Sequence, residues 1–171
     1  AVSRDKLKQI FSVSSKKGKG YRSITDRALD RYKIMTQYSE DTGKPTKRVY
    51  FTTVGFSTVG YKVRHITSEG DKDDYSTQGG VGTGNDLFGA MNWRTGAKKL
   101  IIVGGEEDVP SAWQMLNPEN SPYPEIAVVS VTCGEPAAHT QIKVNYEWLD
   151  KFEEIYVCMD NDNVGQTAQK K

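Results

Sequence analysis

Three short apolar runs dominate the second half of the chain: LIIV (100–103), IAVVSV (126–131) and EEIYVCM (153–159), each followed by helix signals. After LIIV come Gly104 and Gly105. Asp108 then stands where it can cap a helix with Pro110 in its first turn, running to about Leu116. A glycine-containing loop (132–139) leads into a helix expected from about Thr140 to Phe152, and Gly165 to Lys171 begin another. Strands that are apolar without alternation are buried on both faces, and helical crossovers pair them in parallel. This order therefore predicts a parallel sheet covered on both faces, with its chemistry beyond the carboxyl ends of the strands.

The first half is organised differently. A short helix is expected over 3–11, then a flexible basic stretch, SVSSKKGKG (12–20). Thr25-Asp26 reads as a helix start, and Ala28, Leu29 and Tyr32 keep helical spacing. RVYFTTVGF (48–56) and STVGYKVRHI (57–66) alternate in character and predict paired strands. The segment from Thr67 to Asn85, dense in Gly, Asp and Ser, reads as a loop. The fold class is thus α/β: a small mixed α+β lobe over 1–95, then a domain over 96–171 with a parallel-type sheet flanked by helices. At 171 residues the chain can bury about 70% of its unfolded surface and needs no staples.

Charge separates the same two parts. Residues 1–33 hold ten Lys/Arg against Asp5, Asp26 and Asp30, so a net +1 chain is +7 there and −6 over the rest. A basic head before an acidic body suits a polyanion-binding lobe joined to a cation-binding one; a solvated lysine-rich tail is the plainer alternative. No apolar run is long enough for a membrane span, and the polar N-terminus lacks the apolar stretch of a signal peptide. No Gly-x4-Gly-Lys-Ser/Thr loop occurs, so no ATPase motor is expected in this chain. Cys133 and Cys158 are too few for structural zinc, and His65 and His139 fit no finger spacing. Both cysteines are expected as reduced, buried thiols, which suggests an intracellular setting.

Two acidic clusters fall at strand ends: Glu106, Glu107 and Asp108 past LIIV, and Asp160 and Asp162 in MDNDNVG. In extended backbone, residues i and i+2 share a face with Cα atoms about 6.5–7 Å apart. Carboxylates at that spacing repel unless a divalent cation neutralises them. Magnesium takes carboxylate oxygens and keeps positions open for phosphates, and a second ion about 3.5–4 Å away is common in phosphoryl transfer. Asp and Asn are also ordinary turn formers, so a solvated turn is the alternative.

An apolar strand, a glycine-acid turn ending in Asp, and a later strand ending in Asp-x-Asp-x-x-Gly together resemble the toprim pattern of primases, topoisomerases and some nucleases. The chain is most similar to the primase half of phage-type primase-helicases and their relative Twinkle. The likeness runs from about Gly20 to Lys171 through GYRSITDR (20–27), YKVR (61–64), DLFGAMNW (86–93), KKLIIVGGEED (98–108), VVSVTCG (128–134) and NYEWLDKFEEIYVCMDNDNVG (145–165). It implies a toprim domain over 96–171 and, before it, a basic lobe that binds template and helps hold nucleotides. Lys62 and Arg64 match positions that contact nucleotide phosphates, and Lys72 falls in a loop where the family has further lysines. Asp160 and Asp162 match the metal-binding aspartates, and Asp108 the aspartate of the family's Glu-Gly-x-x-Asp turn. Lys16, Lys17, Lys19 and Arg22 would lie on the template side.

One departure matters. The family's first catalytic acid should follow the strand directly, where this chain has Gly104. Lost activity, an altered form of the protein, or Glu106 reaching the metal from the same turn would each account for it. The four-cysteine module that often precedes this domain and the helicase half are absent. The chain also stops where a toprim fold would add a strand and another acidic site, so a larger parent protein is expected.

The function implied is DNA primase: template-directed synthesis of short RNA primers on single-stranded DNA from ribonucleoside triphosphates, with Mg2+ or Mn2+ and no zinc. Catalytic work falls to Glu106, Lys62 and Arg64, and metal binding to Asp160, Asp162, Asp108 and Glu106. A helicase domain is the implied partner in the parent, and the cytoplasm of a phage-infected cell the implied location. The alternative is a degenerate toprim module that grips single-stranded DNA for an attached helicase. A toprim nuclease is a third possibility that the front-lobe motifs disfavour.

Overall fold

A computed structural model describes residues 21–67 and 74–170, together with Ser3, Asp5 and Gln9. The helix expected over 3–11 and the basic stretch 12–20 thus fall largely or wholly outside the described residues, as do Lys16, Lys17, Lys19 and Lys72. The chain opens with a 3-10 turn (Tyr21–Ser23) and helix α1 (Asp26–Arg31). Thr25 caps α1 as its position suggests, accepting from Ala28 N at 3.3 Å.

Four antiparallel strands follow in the order β1-β2-β3-β4: Met35–Tyr38, Pro45–Val54, Ser57–His65 and Asp74–Gly79. The expected β2–β3 pair forms, joined at Gly55 and Phe56, both with positive φ. The Asp86 carboxylate accepts from both turn N–H groups, at 3.1 and 2.7 Å. Strand β4 corrects the expectation of a loop over 67–85. Its six residues are all exposed on an edge, so composition masks a strand that is held by backbone pairing to β3. As a result β3, with Lys62 and Arg64, is an interior strand.

The second sheet is parallel, with β5 (Lys99–Val103) between β6 (Ala127–Ser130) and β7 (Glu154–Cys158). Helix α2 (Asp108–Leu116) connects β5 to β6 with Pro110 in its first turn, but Asp108 does not cap it: Glu107 holds the cap position without a side-chain cap bond, and Asp108 is the first helical residue. Between β6 and β7 the one helix expected over 140–152 is instead a 3-10 turn (Glu135–Ala137), α3 (Ala138–Val144) and α4 (Tyr146–Leu149). Asn145 breaks it: its side chain donates to Asn85 O and Gln141 O, tying the junction to the loop before Leu87. Helix α5 (Asn163–Gln169) follows β7.

One apolar cluster joins α1, the 86–93 segment, the parallel sheet and α2, including Ile24, Leu29, Tyr32, Phe88, Leu100, Val128 and Trp148. Tyr32 donates to Val128 O at 2.9 Å and packs against Phe88, Trp93 and Trp113. Two expectations fail at β7. The parallel sheet is not covered on both faces throughout, because Ile155, Tyr156 and Val157 on this edge strand are 43%, 48% and 42% exposed. The cysteines are free, but Cys158 is exposed and Cys133 only partly buried. Both sit beyond or on the margin of the packed sheet, where a strand's apolar character says nothing about what covers it.

Candidate active site

The parallel sheet ends its strands on one side, and there the turn Gly104–Asp108 meets one face of the antiparallel sheet. Pairing places Arg48 beside Arg64 and Tyr75, and Tyr50 beside Lys62 and Thr77, in two rows across β2, β3 and β4. Alternation then puts all of them on one face, while Tyr61, Val63, Val49 and Met35 form a small apolar cluster on the other. The polar face closes on the acidic turn. Lys62 Nζ lies 3.0 and 3.1 Å from the two Glu106 oxygens and also donates to Thr132 O at 3.3 Å. Glu107 accepts from Tyr50 OH at 2.5 Å and from Arg48 Nη1 at 3.4 Å, with Arg64 Nη1 at 3.9 Å. The Tyr75 ring lies 4.8 Å from Lys62 Nζ and 5.9 Å from the Arg64 guanidinium. A cleft of about 160 Å³ opens between Arg22, Arg64, Tyr75 and the turn residues Gly105, Glu106 and Asp108.

Burial sets the electrostatics. Glu106 is 7% exposed, and loss of hydration raises its carboxyl above the ordinary range although Lys62 opposes the shift. Burial and then the Glu107 charge keep the Tyr50 hydroxyl protonated, so it is a donor. Surrounding protein raises the Asp108 carboxyl, and Asp160 and then Glu107 add to this, while the Gly105 backbone and Arg22 oppose it. Asp108 has an exposed outer edge, which limits the first of these effects.

The expected residues are thus brought together unequally. Arg64, Glu106 and Asp108 line the cleft with Arg22, which is exposed, and Lys62 lies behind it on Glu106. Both Glu106 oxygens are engaged by Lys62. Asp160 is close enough to Asp108 for its charge to be felt there. Asp162 caps a helix. Strand β7 ends at Cys158, and Asp162 Oδ1 caps α5 by accepting from Val164 N and Gly165 N at 2.9 and 2.8 Å. The paired strand thus stops before Asp160 and Asp162, which lie in the segment leading into α5. Among the described residues no group of three His, Cys, Asp or Glu side chains is gathered as a ready metal cage. Asp108 and Asp160 still fit a hard cation, since the Asp160 charge raises the Asp108 carboxyl and both offer carboxylate oxygen.

Sequence reasoning missed the roles of three residues. Arg48, fully buried, and Glu107 form an ion pair between β2 and the turn after β5; alternation along β2 places Arg48 on the face of Tyr50, but nothing in sequence gives its partner. Glu135 Oε1 accepts from Asp160 N at 2.8 Å.

No protein-family model matches the chain. Over 112 residues, 66% of this chain, it is 33% identical to the DNA helicase/primase of Enterobacteria phage T3; the match spans only 18% of that protein. The fold is similar to the crystal structure of the primase fragment of the bacteriophage T7 primase-helicase, with a TM-score of 0.73 and 24% identity over 92% of this chain and 59% of that one. It is also similar, with a TM-score of 0.72 and 24% identity over 92% of this chain and 72% of the other, to T7 primase domains bound to an RNA/DNA hybrid and dTTP with the lagging-strand DNA polymerase. With an antiparallel sheet set against a parallel sheet, and this sequence likeness beside it, the chain is similar in fold and in part of its sequence to the primase region of phage-type primase-helicases.

Proposed function

We propose that this chain is the RNA-polymerising part of a DNA primase, joining ribonucleoside triphosphates on a single-stranded DNA template. The observation that supports this best is the cleft in which the cationic row of β3 faces the acidic turn after β5. Such a pairing suits a polyphosphate held against a divalent cation. Residues 1–95 would then form the template- and nucleotide-facing lobe, and 96–171 the cation-binding one.

In this reading Lys62 and Arg64 hold the triphosphate. Lys62 exchanges Glu106 for phosphate oxygens, and the Tyr75 ring keeps both cations directed at the cleft. Asp160 and Asp108 hold Mg2+ or Mn2+, which when bound would neutralise phosphate charge and acidify the attacking 3′-hydroxyl. Arg22, with Lys16, Lys17 and Lys19 ahead of it, follows the template backbone through salt-dependent contacts, and Lys72 adds a nucleotide contact. The phage T3 relative is named a helicase/primase, so a helicase domain is the expected partner in the parent protein, acting in an infected cell.

A second reading, a degenerate module that only grips single-stranded DNA, is favoured by Gly104 and by the Asp162 oxygen spent on a helix cap. Template-directed dinucleotide synthesis with Mg2+ or Mn2+ separates the two. The primase reading expects product, reduced about 100-fold in Lys62→Ala by loss of a preorganised cation. Tight binding of single strands with no product under either metal would leave the degenerate module.

A further inference from the structure

Another side chain stands over Gly104. A Cβ built on Gly104 would lie 2.8 Å from Glu135 Oε1 and 3.4 Å from its Cδ. Glu135 therefore fills the volume that any side chain at 104 would need. A Cβ built on Gly105 would lie 3.1 Å from Asp108 Oδ2, so the glycine pair runs between two carboxylates. The sequence seats Glu135 there locally: Gly134 has φ +77°, and the 3-10 turn Glu135–Ala137 projects from the loop after β6 at the same carboxyl edge as the β5 turn.

The chemistry of this group is unusual for a structural residue. Glu135 is 9% exposed, and among the described residues no cation pairs with it; its hydrogen bond comes from Asp160 N. A carboxylate taken from water is costly unless charge or several donors compensate it, and one amide N–H compensates little. The same N–H fixes it against the residue whose charge already raises Asp108.

We infer that Glu135 supplies, from the β6 loop, the cation-binding carboxylate that position 104 lacks, acting beside Asp160, whose N–H holds it. This rests on the primase reading above. A complete cage is unnecessary, since magnesium is held by one or two carboxylates with phosphates and water completing its shell. The exchange is reciprocal: a glutamate at 104 would have to push the Glu135 carboxylate aside.

Mn2+ uptake measured by electron paramagnetic resonance on the purified protein, with ATP present, tests the assignment without relying on turnover. Glu135→Gln keeps an oxygen for the Asp160 N–H and loses the charge. It should bind Mn2+ at least about tenfold more weakly with an unchanged melting temperature. Gly104→Glu should clash and bind no better than wild type, whereas Gly104→Glu combined with Glu135→Ala should recover what Glu135→Ala loses. Should Glu135→Gln fold poorly, Glu135→Asp, which keeps the charge, should retain more affinity than Glu135→Ala.

Wild-type affinity in Glu135→Gln, no recovery in the double variant, or no Mn2+ uptake by the wild-type protein would each overturn the assignment. Primer synthesis on the same proteins keeps the two readings apart. Mn2+ held through Glu135 without synthesis overturns the primase reading alone, and synthesis unaffected by Glu135→Gln overturns the Glu135 assignment alone.

Discussion

Replacing Glu107 with Gln removes the one carboxylate that faces both Arg48 and Arg64 while keeping an oxygen for the Tyr50 hydroxyl. Arg48 is fully buried; among the described residues its Nε has no hydrogen-bond partner, and it also meets Tyr21 O at 3.3 Å and the Tyr21 ring at 5.0 Å. The substitution therefore strands a charge where water cannot reach it, at a cost of about 3–5 kcal/mol for breaking a buried pair. The pair distances of 3.4 and 3.9 Å are long, so the lower end applies, about 3 kcal/mol. Against a total stability of about 5–15 kcal/mol that is a large share. It corresponds to a fall in melting temperature of about 6–12 °C. Urea unfolding followed by tryptophan fluorescence measures it.

Two companions isolate the cause. Tyr50→Phe should cost only about 1–2 kcal/mol, because the charges stay paired. Removing both charges, Arg48→Met with Glu107→Leu, should be far milder than Glu107→Gln alone, since apolar replacement of a whole buried pair is often neutral. A loss under about 1 kcal/mol for Glu107→Gln would show that the pair behaves as a hydrated surface bridge, and the reasoning would be refuted.

Other outcomes follow from the same geometry. Gly165→Ala drives a Cβ into the Asp160 carbonyl, so it should lower stability by about 1–3 kcal/mol in thermal melts and weaken Mn2+ binding by moving Asp160. Gln141 bonds Asn85 O, Asp86 O, Thr132 N and Thr132 Oγ1 at once. Gln141→Leu should cost about 3 kcal/mol in urea, as several buried groups lose partners together. By contrast Arg31→Ala breaks a half-exposed bridge to Glu125, and the electrostatic part of its cost should stay under about 1 kcal/mol and shrink in high salt. Binding of single-stranded DNA should weaken with salt, with a slope of about −0.7 per phosphate neutralised, and Arg22→Ala should make that slope shallower.

The parallel sheet was legible in sequence because buried strands and their helices carry strong local signals: LIIV, the helix with Pro110 in its first turn, and the helix cap at Thr25 all appear where expected, although Asp108 begins its helix rather than capping it. So was the likeness to phage-type primases, through spaced motifs such as YKVR and MDNDNVG. Strand β4 was not, because an exposed edge strand of Asp, Ser, Thr, Gln and Gly exists only through hydrogen bonds to a neighbour. The bareness of β7 was hidden for the reverse reason: an apolar run states a preference for burial, and only packing shows whether anything meets it.

The site divides in the same way. Sequence alone settled which residue types stand at strand ends and that Gly104 carries no acid, since composition and register along one segment are local properties. Only tertiary structure decided that Glu106 holds Lys62, that Glu107 pairs with Arg48, that Asp162 caps a helix and that Glu135 covers Gly104. The first two contacts join residues 44 and 59 apart in the chain. The distances and the loss of water that fix their charges arise only when the two sheets close on each other.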